Sequence, residues 1–111
     1  MLYYDFEVEG KTYKLRLNTR NVVLLEKALG GNPLSIFKDD NTIPTVAQMV
    51  AILHASLQQY QHGITLDDTF DLFDKWLAAG HSTIDFINII LEIYKDSGII
   101  PDVDVDIKEK N

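Results

Sequence analysis

The sequence predicts an α+β fold that is mainly α, an N-terminal β-hairpin packed on a bundle of about four helices and followed by a flexible acidic tail. Three observations carry this. Period-two alternation of apolar and charged residues, in two runs separated by a Gly10-Lys11 turn signal, marks the start of the chain. Four later segments each open on a capping residue, carry apolar residues at helical spacing and are followed by glycine. The last stretch then alternates aspartate with valine or isoleucine without any turn signal. The chain of 111 residues is one domain by its length. Its expected limits are 1–98, with the hairpin at 2–18, helices at about 19–30, 45–62, 65–79 and 83–97, and the acidic tail at 99–111.

In the hairpin, Tyr4, Phe6 and Val8 alternate with Asp5 and Glu7, and Tyr13, Leu15 and Leu17 alternate with Lys14 and Arg16. A Gly10-Lys11 loop of type II′ would oppose Val8 to Tyr13, Phe6 to Leu15 and Tyr4 to Leu17 on one face. The other face would then match Glu7 with Lys14 and Asp5 with Arg16. A lone hairpin is marginal in water, so its aromatic face must lie on helices.

Thr19 opens the first helix, which turns Val22, Leu25 and Leu29 inward before Gly30-Gly31, and a short helical turn follows around Pro33 to Phe37. The loop Lys38 to Pro44 is polar and expected to be exposed. Thr45 and Gln48 have capping-box spacing. They start a helix with Val46, Met49, Val50, Leu53, Leu57 and Tyr60 on one stripe, ended by Gly63. Thr65 caps the next, which is expected to face Leu66, Phe70, Phe73, Trp76 and Leu77 inward and Asp67, Asp68, Asp71 and Asp74 to water. Ser82 caps the last, and Gly98 ends it.

The bulk numbers narrow the function. A hydrophobic fraction of 46% and a charged fraction of 24% are those of a folded globular chain. The net charge of -7 repels phosphate backbones, so no nucleic-acid partner is expected; an acidic mimic of nucleic acid would rest on that charge alone. The lack of cysteine removes disulfides, thiolate catalysis and thiolate metal sites. No secretion signal and no membrane-crossing apolar run is seen, so a cytoplasmic protein without a membrane partner is expected.

Candidate chemistry is sparse. His54 and His62 share a helical face with Gln58, but without the spacing of a zinc helix, and His81 stands apart at a helix boundary. Asp67, Asp71 and Asp74 could attract a cation, yet a charged face opposite an aromatic stripe is ordinary for a surface helix. Asp102, Asp104 and Asp106 resemble the start of a calcium loop, but Ile107 stands where glycine is required. Gly30-Gly31-Asn32-Pro33 leads to no phosphate loop. No catalytic, cofactor-binding or metal-binding residue is assigned, and the chain is read as a non-enzyme without a cofactor.

The helix from Thr83 to Asp96 is the informative element. At about 100° per residue, Asp85, Asn88, Glu92, Lys95 and Asp96 occupy one face while apolar residues fill an arc of roughly 220°, where about 100° is usual. Two readings remain open. Either this helix is the centre of the bundle, or Phe86, Ile89, Ile90 and Ile93 form a partner-binding surface. Exposing those four side chains would forgo roughly 5 to 10 kcal/mol at about 1.5 to 3 each, which a protein tolerates chiefly when it is built to associate.

The segments GKTYKLRLNTRN from Gly10, LEKALGGNPLSIF from Leu25, LHASLQQYQHGIT from Leu53 and GHSTIDF from Gly80 together resemble the tail assembly chaperones of long-tailed bacteriophages and prophages of low-GC Gram-positive bacteria. The resemblance spans residues 3 to 98. It implies a small, mainly helical protein, absent from the mature virion, that binds the tape-measure protein in the host cytoplasm and helps recruit tail-tube protein. Homo-oligomers are expected. It also implies a longer frameshift product, since Glu109-Lys110-Asn111 can be encoded by GAA AAA AAC, which contains a slippery heptamer. This chain would then be the short form, with the tail-tube contact in the extension. The alternative is a structural phage adaptor, such as a head-tail joining component, that stays in the particle.

Overall fold

A computed structural model describes residues 2–37 and 43–101. Strands β1 (Tyr4–Val8) and β2 (Lys11–Leu15) form an antiparallel hairpin, followed by α1 (Thr19–Leu29), a 3-10 helix (Pro33–Phe37), α2 (Val46–Leu57), α3 (Leu66–Ala78) and α4 (Thr83–Asp96). The α+β, mainly α architecture expected from the sequence is the one observed. The expected edge-pairing or flexible acidic stretch lies outside the described residues from 102 onward, as does 38–42 of the loop.

The hairpin register differs from the expected one by two residues. Tyr4 faces Leu15, Phe6 faces Tyr13 and Val8 faces Lys11, so the turn is Glu9-Gly10 rather than Gly10-Lys11. Both turn residues have positive φ, 52° at Glu9 and 78° at Gly10, as a type I′ loop demands. Because the slip is even, the faces are unchanged. Phe6, Val8, Leu15 and Leu17 are all buried, while Asp5 falls opposite Lys14 and Glu7 opposite Thr12.

Helix ends follow from side-chain chemistry. Asn18, one residue before the expected Thr19, caps α1 by accepting a hydrogen bond from the Asn21 amide, in keeping with asparagine's standing as a cap. Thr45, Thr65 and Ser82 each close a full capping box, with Gln48, Asp68 and Asp85. The hydrogen bonds from Thr65 hold the Asp68 carboxyl below its ordinary pKa. Helix α2 stops at Leu57, short of the expected 62, and two glutamine side chains bind the carbonyls at its end. Gln58 Nε2 donates to the His54 and Ile64 carbonyls at 3.0 and 2.8 Å, and Gln61 Nε2 donates to Leu57 O at 2.9 Å. Tyr60 therefore leaves the α2 stripe and stands edge-on to Tyr3 at 5.4 Å.

Gln61 also finishes the sheet. Its Oε1 accepts from Lys14 N at 2.7 Å and its Nε2 donates to Lys14 O at 2.9 Å, while Arg16 N donates to Ser56 O at 3.0 Å. One side-chain amide thus stands in for a neighbouring strand along β2. Gln61→Ala is expected to cost about 0.5–1.5 kcal/mol, read by urea unfolding, and to accelerate amide exchange at Lys14.

The core places α2 at the hub, packed on α1, α3, α4 and β2. Met49, Val50, Ile52, Leu53, Ala55, Ser56 and Leu57 are buried, a wider arc than the one stripe expected, and Val46 is exposed. On α3 the buried residues are Thr69, Leu72, Phe73 and Trp76. Leu66 and Phe70, expected inside, are about half exposed. Ile99 and Ile100, assigned by sequence to the tail, pack against the core and donate their amides to Tyr94 O at 2.9 and 3.4 Å. The domain thus extends past 98. Pro44, at the end of the loop expected to be exposed, is buried.

Candidate functional site

The four residues of α4 singled out as a partner surface are interior. Phe86, Ile90 and Ile93 are 0% exposed and Ile89 is 8% exposed. The reason is the hairpin and α3. Phe86 lies 6.1 Å from Phe6, 5.2 Å from Phe73 and 5.5 Å from Trp76, edge-on in each case, and α2 covers another side of α4. The wide apolar arc is therefore a core arc, and the surface assignment of Phe86, Ile89, Ile90 and Ile93 is corrected. What α4 leaves outside is Ile84 and Leu91.

The open apolar surface lies elsewhere, in a groove of about 410 Å³ between α1, α2 and α3. Its floor is the face of α2 carrying Ala47, Ala51 and Ala55, with Val50 and His54 beside them. These alanines recur every four residues and so share one helical face. Ending at Cβ, they leave the floor low. Leu24 and Ala28 of α1 form one wall, and Leu66 and Phe70 of α3 form the other. Leu24, Leu66 and Phe70 are 43%, 47% and 46% exposed, so the walls stand out into solvent rather than closing over the floor.

The walls carry opposite charge. Arg20 and Lys27, four residues before and three after Leu24, are exposed on α1, and Asp67 and Asp74, three before and four after Phe70, are exposed on α3. At those spacings each charge neighbours the wall residue on its helix surface. An amphipathic helix laid in the groove would meet apolar side chains below, cations on one flank and carboxylates on the other.

The remaining sequence candidates do not converge. His54 faces the groove, and His81 stacks on Trp76 with centroids 4.5 Å apart and planes at 7°. Among the described residues, no three His, Asp or Glu side chains are placed to hold a metal ion together. Sequence reasoning missed the groove, although two signals for it were present. One is the spacing of Ala47, Ala51 and Ala55. The other is the pair Leu66 and Phe70, which lies to one side of the aromatic stripe through Phe73 and Trp76. Among the described residues, no helix is long and apolar enough to cross a membrane.

A family model described as a family of unknown function, DUF6096, matches residues 6–110. No curated protein and no solved structure matches the chain.

Proposed function

We propose that this chain, which belongs to the DUF6096 family of unknown function, is a non-enzymatic assembly chaperone of phage tails that holds the tape-measure protein by laying one of its amphipathic helices in the α1–α2–α3 groove. The observation that carries the reading is the groove itself. Leu24, Leu66 and Phe70, each about half exposed, forgo roughly 1 kcal/mol apiece of burial, which a covering helix would recover. A long helical client with apolar seams offers many such segments, and the sequence resemblance supplies the tape-measure protein as that client.

The net charge of -7 favours solubility when many copies coat one client. In this reading the protein works in the host cytoplasm, self-associates on its client and is absent from the mature virion. Tail-tube protein is recruited through a longer frameshift product. No nucleic acid, membrane, metal or cofactor takes part.

The test is co-expression with the tape-measure protein of the same phage or prophage, followed by size-exclusion chromatography with light scattering. The wild type is expected to keep the client soluble and co-elute with it. Leu66→Asp combined with Phe70→Asp, both at exposed positions, is expected to retain the helical circular-dichroism spectrum and weaken the complex at least tenfold. A complex that survives the double substitution, or a client left insoluble by the wild type, overturns the proposal. Recovery of the chain from purified virions would favour the adaptor role instead.

A further inference from the structure

The two edges of the hairpin are treated differently. Along β2 the outward backbone groups of Lys14 are occupied by the Gln61 amide and Arg16 N by the Ser56 carbonyl, which among the described residues leaves open only the turn end at Thr12. Along β1 the residues opposite Lys14 and Thr12 are Asp5 and Glu7. By the alternation of an antiparallel ladder their N–H and C=O groups point away from β2. Among the described residues neither backbone finds a partner. An open edge of this kind is a template for another strand.

A cleft of about 460 Å³ runs beside that edge, bounded by Tyr4 to Glu7 on one side and by Trp76, His81, Asp85, Asn88 and Ile89 on the other. Trp76 and Ile89 give it an apolar base. Asp5, Glu7 and Asp85 give it negative charge, and Glu92 adds to the same field. The Tyr4 hydroxyl is pushed above its ordinary pKa first by burial and then by Glu92 and Asp5. His81 lines the same cleft; beyond it, Lys95 pairs with Glu92 at 3.0 Å and Arg16 donates to Leu2 O and Asp96 O.

We infer that β1 accepts a third strand, supplied by an extended segment of a partner protein in which lysine or arginine alternates with apolar residues. The alternation follows from the pleat. Side chains on the face of Asp5 and Glu7 would be the cations, and those on the opposite face would reach Trp76 and Ile89. Charge decides against the other occupants. A second copy pairing antiparallel about Phe6 would set Asp5 against its Glu7. The stretch with Asp102, Asp104 and Asp106 would bring three more carboxylates to a face that already has Asp5 and Glu7. The surface is separate from the helix groove and accepts a different backbone conformation.

The probe is the peptide acetyl-Lys-Val-Lys-Val-Lys-Val-amide, added to the full-length ¹⁵N-labelled protein. At saturation, amide exchange at Asp5 and Glu7 is expected to slow at least tenfold. N-methylating the lysines or the valines removes one alternate set of donors. One of these two peptides is expected to bind at least tenfold more weakly and the other nearly as well as the parent. Asp5→Lys with Glu7→Lys should weaken the parent peptide at least tenfold, whereas Leu66→Asp with Phe70→Asp should leave its binding unchanged, which separates this surface from the groove. No binding, unchanged exchange at Asp5 and Glu7, or equal tolerance of both methylations overturns the inference.

Discussion

Phe86→Ala is expected to lower the unfolding free energy by about 3–5 kcal/mol, the largest effect anticipated for any single truncation in this chain. Phe86 is fully buried and meets Phe6, Phe73 and Trp76 edge-on, so its removal opens a cavity walled by rings that come from β1 and α3. Each edge-to-face contact adds about 0.5–1.5 kcal/mol beyond area burial. The surrounding rings, tilted against one another, and the helical backbones cannot collapse into the space without disturbing their own contacts, which places the cost toward the upper end. A domain of this size has about 5–15 kcal/mol to lose, so the variant should unfold at markedly lower denaturant with little change in slope. A loss below about 1 kcal/mol would mean that the ring cluster is not the centre of the core. Loss of client binding on Phe86→Asp would accordingly report unfolding, which is why the groove positions Leu66 and Phe70 are the informative ones.

Tyr94→Phe should cost about 1–3 kcal/mol although it removes a single oxygen. The Tyr94 hydroxyl is buried and donates to Pro33 O at 2.9 Å, fastening the 3-10 helix to α4, with Phe37 edge-on to the same ring at 6.4 Å. Phenylalanine fills the same volume but takes from the proline carbonyl, in a dry place, the donor that ties it to α4. The pH dependence gives a second readout. Burial pushes the Tyr94 phenol above its ordinary value of 10.0, so the proton is held more tightly in the folded than in the unfolded state. The stabilisation is fully present below about pH 10 and lost as pH rises toward the folded-state value. The difference between wild type and Tyr94→Phe should therefore be flat from neutral pH to about 10 and shrink above it. A difference already shrinking near neutrality would contradict the buried hydrogen bond.

The elements were legible because their signals are local. Thr45 with Gln48 and Ser82 with Asp85 announce helix starts from residues three apart, and these capping boxes form as spaced. Inside and outside along the hairpin were legible for the same reason. The turn was not, because placing Gly10 first or second in a two-residue loop changes the register by an even step and keeps both faces apolar or charged as before. Only the positive φ at Glu9 distinguishes the two loops, and nothing in a glutamate foretells it. The end of α2 was misplaced because glutamine is a helix former, and the bonds that Gln58 and Gln61 make to Ile64 and Lys14 lie outside the helix's own pattern. The candidate site failed at the level of packing. Periodicity measures how much of a helix is apolar and is silent on how many neighbours will cover it. Helix α4 had the widest apolar arc and found cover on all of it except at Ile84 and Leu91, whereas α3, with a narrower stripe, was left with Leu66 and Phe70 outside.

Arg16 has a consequence for the chain as a polymer. One nitrogen, Nη1, donates to Leu2 O at 2.7 Å and to Asp96 O at 2.6 Å, so two points 94 residues apart in sequence are pinned within a few ångströms by a single guanidinium. Ser97 adds a second pin by accepting from Leu17 N at 2.8 Å. Topologically the folded domain is a nearly closed ring. A short covalent link between the two sides of that gap would leave the native arrangement as it is and restrict only the unfolded chain. The same ring could be cut at an exposed connection such as Gly80 and closed by a linker from beyond Ile100 to Leu2, giving a permuted chain with every helix and strand intact.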